Sequence, residues 1–533
     1  MKKIVLLAIN AKYVHSSLSS WIIAEGVSRF FRFPHEVIVA EATVNQSYDI
    51  IINHITEHSP DVIGISSYIW NAGMMPRLLV MLRERLPDLL IVLGGPEASN
   101  NVDYWLENGA DYVLEGEGEF EFPRFLNNLY CAQDSFAFAD AACKFINPYT
   151  DSYLNALNGR LSYIETSRGC PFQCSFCLSA DSGVKYFPLE NVKEQIKMLS
   201  QANTKTVKFV DRTFNCNSDR AYEIFEYILG LKTECRFHFE VAADLFDERI
   251  LLLLEAAPPG RIQFEIGLQS FYEPSLKAVS RQTDIHKAEK NINFLIKKQN
   301  IHIHVDLIAG LPYETFFDFQ NSFNRAYSLN AHTLQLGFLK FLHGSKLRKQ
   351  ADSFCFEYSD EPPYELICSP WLSVDNLRIL KQVENALQHT KNKGRFLSTL
   401  HYVLTATGKT PFALFHSMGM SVPNSGTQLE DYIVQLYDFF IRLPGVDKID
   451  LKDCMIYDWL SMVKGKNIPA FLKNDNKQRV EIAQIAELTL ERKIRREEYA
   501  VLSSGKGLFV DSNNRDPVTE LYEVYVCGCV ATI

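Results

Sequence analysis

Two successive runs of short apolar segments, each alternating with segments of helical period, constrain the fold of this chain more than any other feature. The first run places strands at 4–9, 36–42, 61–66, 89–93 and 111–114, with helices near 17–31, 48–58, 75–86 and 101–108. Five strand–helix units of this size predict a doubly wound parallel sheet over residues 1–135, a fold that binds ligands at the carboxyl ends of its strands. A connection of mixed pattern, 136–160, reads as an irregular linker. The second run then places strands at 161–165, 206–210, 237–241, 262–267, 301–309 and 333–341, separated by helices at 189–201, 220–231, 247–255, 286–298 and 316–328. Six units predict a partial, open (β/α)6 barrel over 161–345. Prolines at 362, 363 and 370 mark 350–370 as a further linker. Beyond it the period is helical, so that 346–533 reads as a mostly helical region ending in a β-hairpin formed by 499–511 and 521–526. The fold class is α/β.

At ~150 residues per domain, 533 residues accommodate about three domains. The longest apolar runs fall short of the ~20 residues that cross a bilayer, and the apolar N-terminus runs into a polar loop at Asn10 with no cleavage site, as a first strand does. Twelve cysteines with one tight trio fit a reducing compartment, which predicts a cytoplasmic protein. A net charge of −10 argues against nucleic acid as a partner and favours a small-molecule, lipid or peptide substrate.

The trio is Cys170, Cys174 and Cys177, in Arg168-Gly169-Cys170-Pro171-Phe172-Gln173-Cys174-Ser175-Phe176-Cys177. Thiolates select zinc or iron–sulfur centres, and a closed zinc site wants a fourth ligand of similar quality close by. The next cysteine is Cys216, far along the chain. Three thiolates on a four-iron cluster leave one iron open to a cosubstrate. At the other strand ends lie Asp211 and Arg212, Glu240, the stretch from Glu265 through Gln269 and Ser270, and the stretch from Asp306 through Gly310 and Pro312. Carboxylates, Gln and Ser suit the ammonium and hydroxyl groups of a zwitterionic nucleoside, and a salt-bridge network inside the mouth is the competing role for the acids. Cys527 and Cys529 near the terminus supply two thiols, too few for a site, and the basic run 492–496 reads as a solvated helix face.

In the first domain the candidate ligand loops are Asn10 to Ser17, Ser66-Ser67-Tyr68, Gly94-Gly95-Pro96-Glu97 and Glu115-Gly116-Glu117-Gly118-Glu119. The first contains no glycine, which disfavours a dinucleotide. This order of loops ahead of a Cys-x3-Cys-x2-Cys motif resembles the cobalamin-dependent radical SAM enzymes. The Glu-Ile-Gly-Leu-Gln-Ser and Gly-Leu-Pro-Tyr-Glu-Thr segments carry the same resemblance, and 346–533 looks like an additional domain found after some of these proteins. The resemblance implies a 4Fe-4S cluster on Cys170, Cys174 and Cys177, with S-adenosyl-L-methionine (SAM) on its open iron. It places Phe176 beside adenine, Glu240, Gln269 and Ser270 at the ribose and methionine portions, and Gly310 and Pro312 on the adenine side. Cobalamin would lie against Ser66, Gly94 and Gly95, with Glu117 nearby. This first loop lacks the D-x-H-x-x-G of histidine-ligated corrinoids, which leaves the lower cobalt face to His15, to Tyr13 or to water. The implied activity is methylation of an unactivated carbon, with a reductant such as flavodoxin or ferredoxin. The alternatives are a cyclase or rearrangement enzyme without net methyl transfer, and a non-catalytic cobalamin- or redox-sensing module. Cys174→Ala, reconstituted with iron and sulfide, is expected to lose all 5′-deoxyadenosine formation from SAM on reduction, as measured by chromatography of the quenched reaction.

Overall fold

The computed structural model describes residues 1–131, 145–422, 428–473 and 479–527. Five parallel strands form the first sheet: β1 Lys2–Asn10, β2 His35–Thr43, β3 Val62–Ser66, β4 Leu90–Gly94 and β5 Tyr112–Val113. Their order is β2-β1-β3-β4-β5. The chain therefore reverses its winding between β1 and β3, and the crevice outside these two carboxyl ends is where such sheets take ligands. β1 is a nearly continuous buried apolar run because helices cover both of its faces. The helix Gly118–Tyr130, which contains Pro123, follows β5 and packs on the helix Leu18–Phe30. Their backbones approach so closely that a Cβ on Gly26 would strike the Glu119 carbonyl.

The second sheet is parallel throughout: β6 Ser162–Ile164, β9 Thr206–Phe209, β10 Arg236–Val241, β11 Ile262–Gln269, β12 His302–Ala309 and β13 Thr333–Phe338. Its order β13-β12-β11-β10-β9-β6 leaves β6 and β13 unpaired with each other, so the barrel is open. Between β6 and β9 an antiparallel hairpin is inserted, β7 Ser167–Cys170 with β8 Gly183–Tyr186. On β12, Ile303, Val305, Leu307 and Ala309 are buried while His302, His304, Asp306 and Ile308 are only half-buried, and β11 alternates in the same way. The oily face meets the helices and the polar face lines the lumen.

Four expectations are corrected. The stretch 145–160, the described part of the expected linker, holds the helix Asp151–Leu157, capped by Thr150 and anchored by buried Tyr153 and Leu157. The stretch 350–370 contains a packed hairpin, β14 Glu357–Tyr358 with β15 Leu366–Cys368, rather than a linker. The expected terminal hairpin is a three-stranded antiparallel sheet, β16 Tyr499–Val501, β17 Gly507–Arg515 and β18 Tyr522–Cys527, because a turn at Ser503-Ser504-Gly505 splits the first predicted strand. The helix Arg479–Leu490 stops before the basic run, and Arg492 instead pairs with Glu498 and with Asp511 of β17. Cys527 lies on β18; Cys529 lies outside the described residues.

Helices from Val374–His389 to Lys448–Met462 extend the barrel's apolar core. The turn between β17 and β18 closes the barrel floor. There Val518 offers its carbonyl to His302 Nδ1 at 2.6 Å, Glu520 pairs with Arg236, and Pro517 lies against Gly260, all at amino ends of barrel strands. Among the described residues no helix is long and apolar enough to cross a membrane. Gly26→Ala is expected to destabilise the protein by about 1–3 kcal/mol through overpacking of two backbones, seen as a lower urea midpoint with an unchanged m-value.

Candidate active site

The cysteine hairpin is rooted at its base. The Asp211 carboxylate, just beyond β9 and almost fully buried, accepts from Thr166 N at 3.0 Å, Thr166 Oγ1 at 2.7 Å and Ser167 Oγ at 2.5 Å. Gly169 sits at φ +97°, and a Cβ there would strike the Gly183 carbonyl across the hairpin, so the glycine of Arg-Gly-Cys is required by the backbone. Beyond Cys170 the loop is held by Ser175, whose N–H donates to Val279 O at 2.9 Å and whose carbonyl accepts from Leu347 N at 2.8 Å. Cys170 and Cys174 are buried, Cys177 is half-buried, and none is in a disulfide. Arg281 Nη1 lies 3.8 Å from Cys174 Sγ while Nη2 donates to Gly267 O at 2.7 Å, and its buried Nε has no partner. Burial pushes the Cys177 thiol up, and Arg212 opposes this. Among the described residues no three His, Cys, Asp or Glu side chains converge closely enough to hold a single metal ion. Three soft thiols on one loop, with a guanidinium beside one of them, fit a multi-iron cluster.

Below the hairpin the lumen is crowded with acids. Glu265 accepts from His238 Nε2 at 3.0 Å and pairs with Lys208 at 3.1 Å; these partners, the His238 bond first, hold it down at about 2. Burial, with Glu265 adding to it, pushes Glu240 up to about 7, and burial raises Asp306 strongly. Asp306 Oδ1 is buried without a partner, an acceptor awaiting a donor such as a ligand hydroxyl or ammonium. Gln269 takes a left-handed conformation, φ +71°, at the bulge that ends β11. Phe176 is partly buried against the barrel core.

Other residues expected at SAM also pack within the barrel. Ser270 is fully buried, and its hydroxyl donates to Glu314 at 2.6 Å and so supports the mouth from beneath. Gly310 and Pro312 are also buried: a Cβ on Gly310 would strike Leu366 of β15, and Pro312 O accepts from Ser275 Oγ at 2.5 Å. Gly310 thereby also seats the β14–β15 hairpin.

At the crevice of the first sheet, the loop after β3 crosses to the end of β1: Trp70 Nε1 and Asn71 Nδ2 both donate to Ile9 O. Trp70 stacks on Tyr68 with centroids 4.3 Å apart and stays 47% exposed, and Tyr13 is 71% exposed. Ser66 is buried and accepts from Ser19 Oγ at 3.3 Å; the neighbouring Ser67 Oγ is buried without a partner. Gly94 ends β4, and Gly95 at φ +92° lets Ser67 O approach, since a Cβ would stand 2.7 Å from it. An orphaned hydroxyl beside a glycine pair and an exposed aromatic face suit a broad, flat ligand with polar edges. His15 is neither helix cap nor free, because Ser17 caps the helix and His15 Nδ1 lies 2.5 Å from Tyr163 OH on β6. Glu117 faces the cysteine hairpin, paired with Arg168 and Lys185 at 2.8 Å, and Glu97 accepts from Tyr364 OH beside the β14–β15 hairpin.

Comparison with known proteins agrees with this geometry. Residues 4–126 match the B12 binding domain, 164–326 the radical SAM superfamily, and 352–507 a family described as a protein of unknown function (DUF4080). The chain thus carries a B12 binding domain followed by a radical SAM domain. These two domains imply a 4Fe-4S cluster, SAM and cobalamin as the enzyme's cofactors. Similar curated proteins include the cobalamin-dependent radical SAM methyltransferase TokK of Streptomyces tokunonensis, 22% identical over 49% of this chain and 44% of its own. The anaerobic magnesium-protoporphyrin IX monomethyl ester cyclase of Rubrivivax gelatinosus is 24% identical over 55% and 59%. The chain thus spans about half the length of these relatives. Among solved structures, the cobalamin-dependent radical enzyme OxsB aligns with a TM-score of 0.55 at 12% identity, over 86% of this chain and 78% of that one. The methyltransferase TsrM of Kitasatospora setae gives 0.53 at 15%, over 68% and 80%; both likenesses are of fold.

The lumen carries a pH dependence. Between the ordinary glutamate value of about 4.3 and the folded value of about 7, folded Glu240 holds a proton that the unfolded chain releases. Stability therefore falls as pH rises through that window, and the penalty is complete above it. Glu240→Gln removes this penalty: in chemical denaturation of the cofactor-free protein it is expected to exceed the parent by about 1–3 kcal/mol at pH 8 and to match it near pH 4.

Proposed function

We propose that the enzyme methylates an unactivated carbon of a small-molecule, lipid or peptide substrate held between the barrel mouth and the crevice of the first sheet. The observation that carries this reading is the place of Arg212. This exposed side chain lies within electrostatic reach of Tyr68 at the crevice, of Cys177 on the hairpin and of Glu240 in the lumen, which supports a substrate position near all three. When bound, the cluster supplies the electron that splits SAM, and the corrinoid supplies the methyl group.

The chain's own residues bind, orient and shield. Cys170, Cys174 and Cys177 are the cluster ligands in this reading, and Arg281 beside Cys174 offsets part of the thiolate charge. The unpartnered carboxylate of Asp306 and the protonatable Glu240 are suited to the hydroxyls and ammonium of SAM, with Gln269 and Phe176 at the rim. Ser66, Ser67, Gly94 and Gly95 are suited to the corrinoid, and the exposed rings of Trp70 and Tyr13 to an apolar planar face. A one-electron carrier such as flavodoxin or ferredoxin is the expected reductant.

A second reading, cyclisation or rearrangement without net methyl transfer, is favoured by the similarity to the Rubrivivax cyclase. Reduced enzyme given SAM and a substrate is expected to yield 5′-deoxyadenosine and S-adenosylhomocysteine together, with label from methyl-tritiated SAM in the product. Deoxyadenosine alone, with substrate consumed and no label transferred, would select the second reading.

A further inference from the structure

Between the two sheets one arginine has more partners than its role as a strand residue explains. Arg168 leads into Cys170 on β7. Its Nε and Nη2 fork onto Glu165 at 3.0 and 2.6 Å, and its Nη1 reaches Glu117 at 2.8 Å and Glu119 at 3.0 Å in the first domain. Lys185, opposite Arg168 on β8, closes the ring on Glu117 at 2.8 and 3.0 Å. Glu119 is buried, and its helix is locked by the contact at Gly26, so the acids stand on a fixed frame. The opposite side of β7 is tied to the barrel by Asp211. Desolvated charges on both sides of an interface make such a contact specific in register as well as attractive.

We propose that Arg168 is a positioning residue that sets the register of the cysteine hairpin against the cobalamin-binding sheet. The inference rests on the methylase reading. Reductive splitting of SAM needs only the barrel and its cluster, whereas methyl transfer from SAM crosses the interface, and a misplacement of ~1 Å costs such a step on the order of 10²-fold. A fork that engages three carboxylates fixes two elements at once; a lysine, as a point charge, does so only in part.

The test uses full-length protein reconstituted with iron, sulfide and hydroxocobalamin. In Arg168→Gln, amide exchange is expected to rise locally in β7, β8 and the first turn of Gly118–Tyr130, with the rest of both sheets as protected as before. S-adenosylhomocysteine formation falls about 10²-fold while 5′-deoxyadenosine formation changes less than about threefold. Arg168→Lys recovers part of both signals. If Arg168→Gln fails to fold or to take up its cluster, Glu117→Gln with Glu119→Gln, which keeps the Arg168–Glu165 fork, is expected to give the same pattern. Unchanged exchange in these segments, or a parallel fall of both SAM products, overturns the proposal. Wild-type protein that forms no S-adenosylhomocysteine overturns the methylase reading instead, and the exchange arm still decides the role of Arg168.

Discussion

The geometry of the site depends on a single buried carboxylate. Asp211 is desolvated, a cost of several kcal/mol for an isolated ion, and three donors from Thr166 and Ser167 offset it. Those donors are the residue before β7 and the first residue of β7 itself, so the hairpin that carries Cys170, Cys174 and Cys177 turns off the barrel at a corner fixed by hydrogen bonds rather than by apolar packing. A hydrophobic corner of equal area would hold the strand in place but tolerate sliding; a carboxylate with three directed partners does not. Everything attached to β7 inherits that constraint, including the thiols on one side and the contact with the first sheet on the other.

The lumen shows the opposite balance. Glu265 is satisfied by His238 and Lys208, while half-buried Glu240 and Asp306 lie near it with less compensation. Crowded acids that raise one another's proton affinity cost the folded protein stability, and natural chains keep such crowding where a ligand relieves it. The apolar outer faces of β11 and β12, packed against helices, provide the stability against which this cost is set.

Much of this was legible in the sequence, for physical reasons. The βα rhythm is a periodicity of burial, so the positions of β1 to β4 and of the barrel strands followed from spacing alone, and the cysteine trio needed only its own spacing. What stayed hidden depends on partners distant in sequence. Ser270 matched a ligand-binding pattern, yet Glu314 claims its hydroxyl. Gly310 packs against Leu366, a contact no local pattern announces. Glu117 was expected beside the corrinoid and faces Arg168 and Lys185. The β14–β15 hairpin escaped because prolines and short strands read as a linker, and the helix Gly118–Tyr130 because Pro123 interrupts its pattern. No local signal marks Arg281 as a neighbour of Cys174, since the two are joined only by the fold.

The floor of the barrel is made of residues translated long after its walls. Until Pro517 to Glu520 emerge and dock on Gly260, His302 and Arg236, the nascent barrel is open at its lower end, with its histidines and acids in contact with water. Closure from below thus rests on a segment that follows all six barrel strands in the chain, so that the lumen is completed only by residues outside the barrel itself.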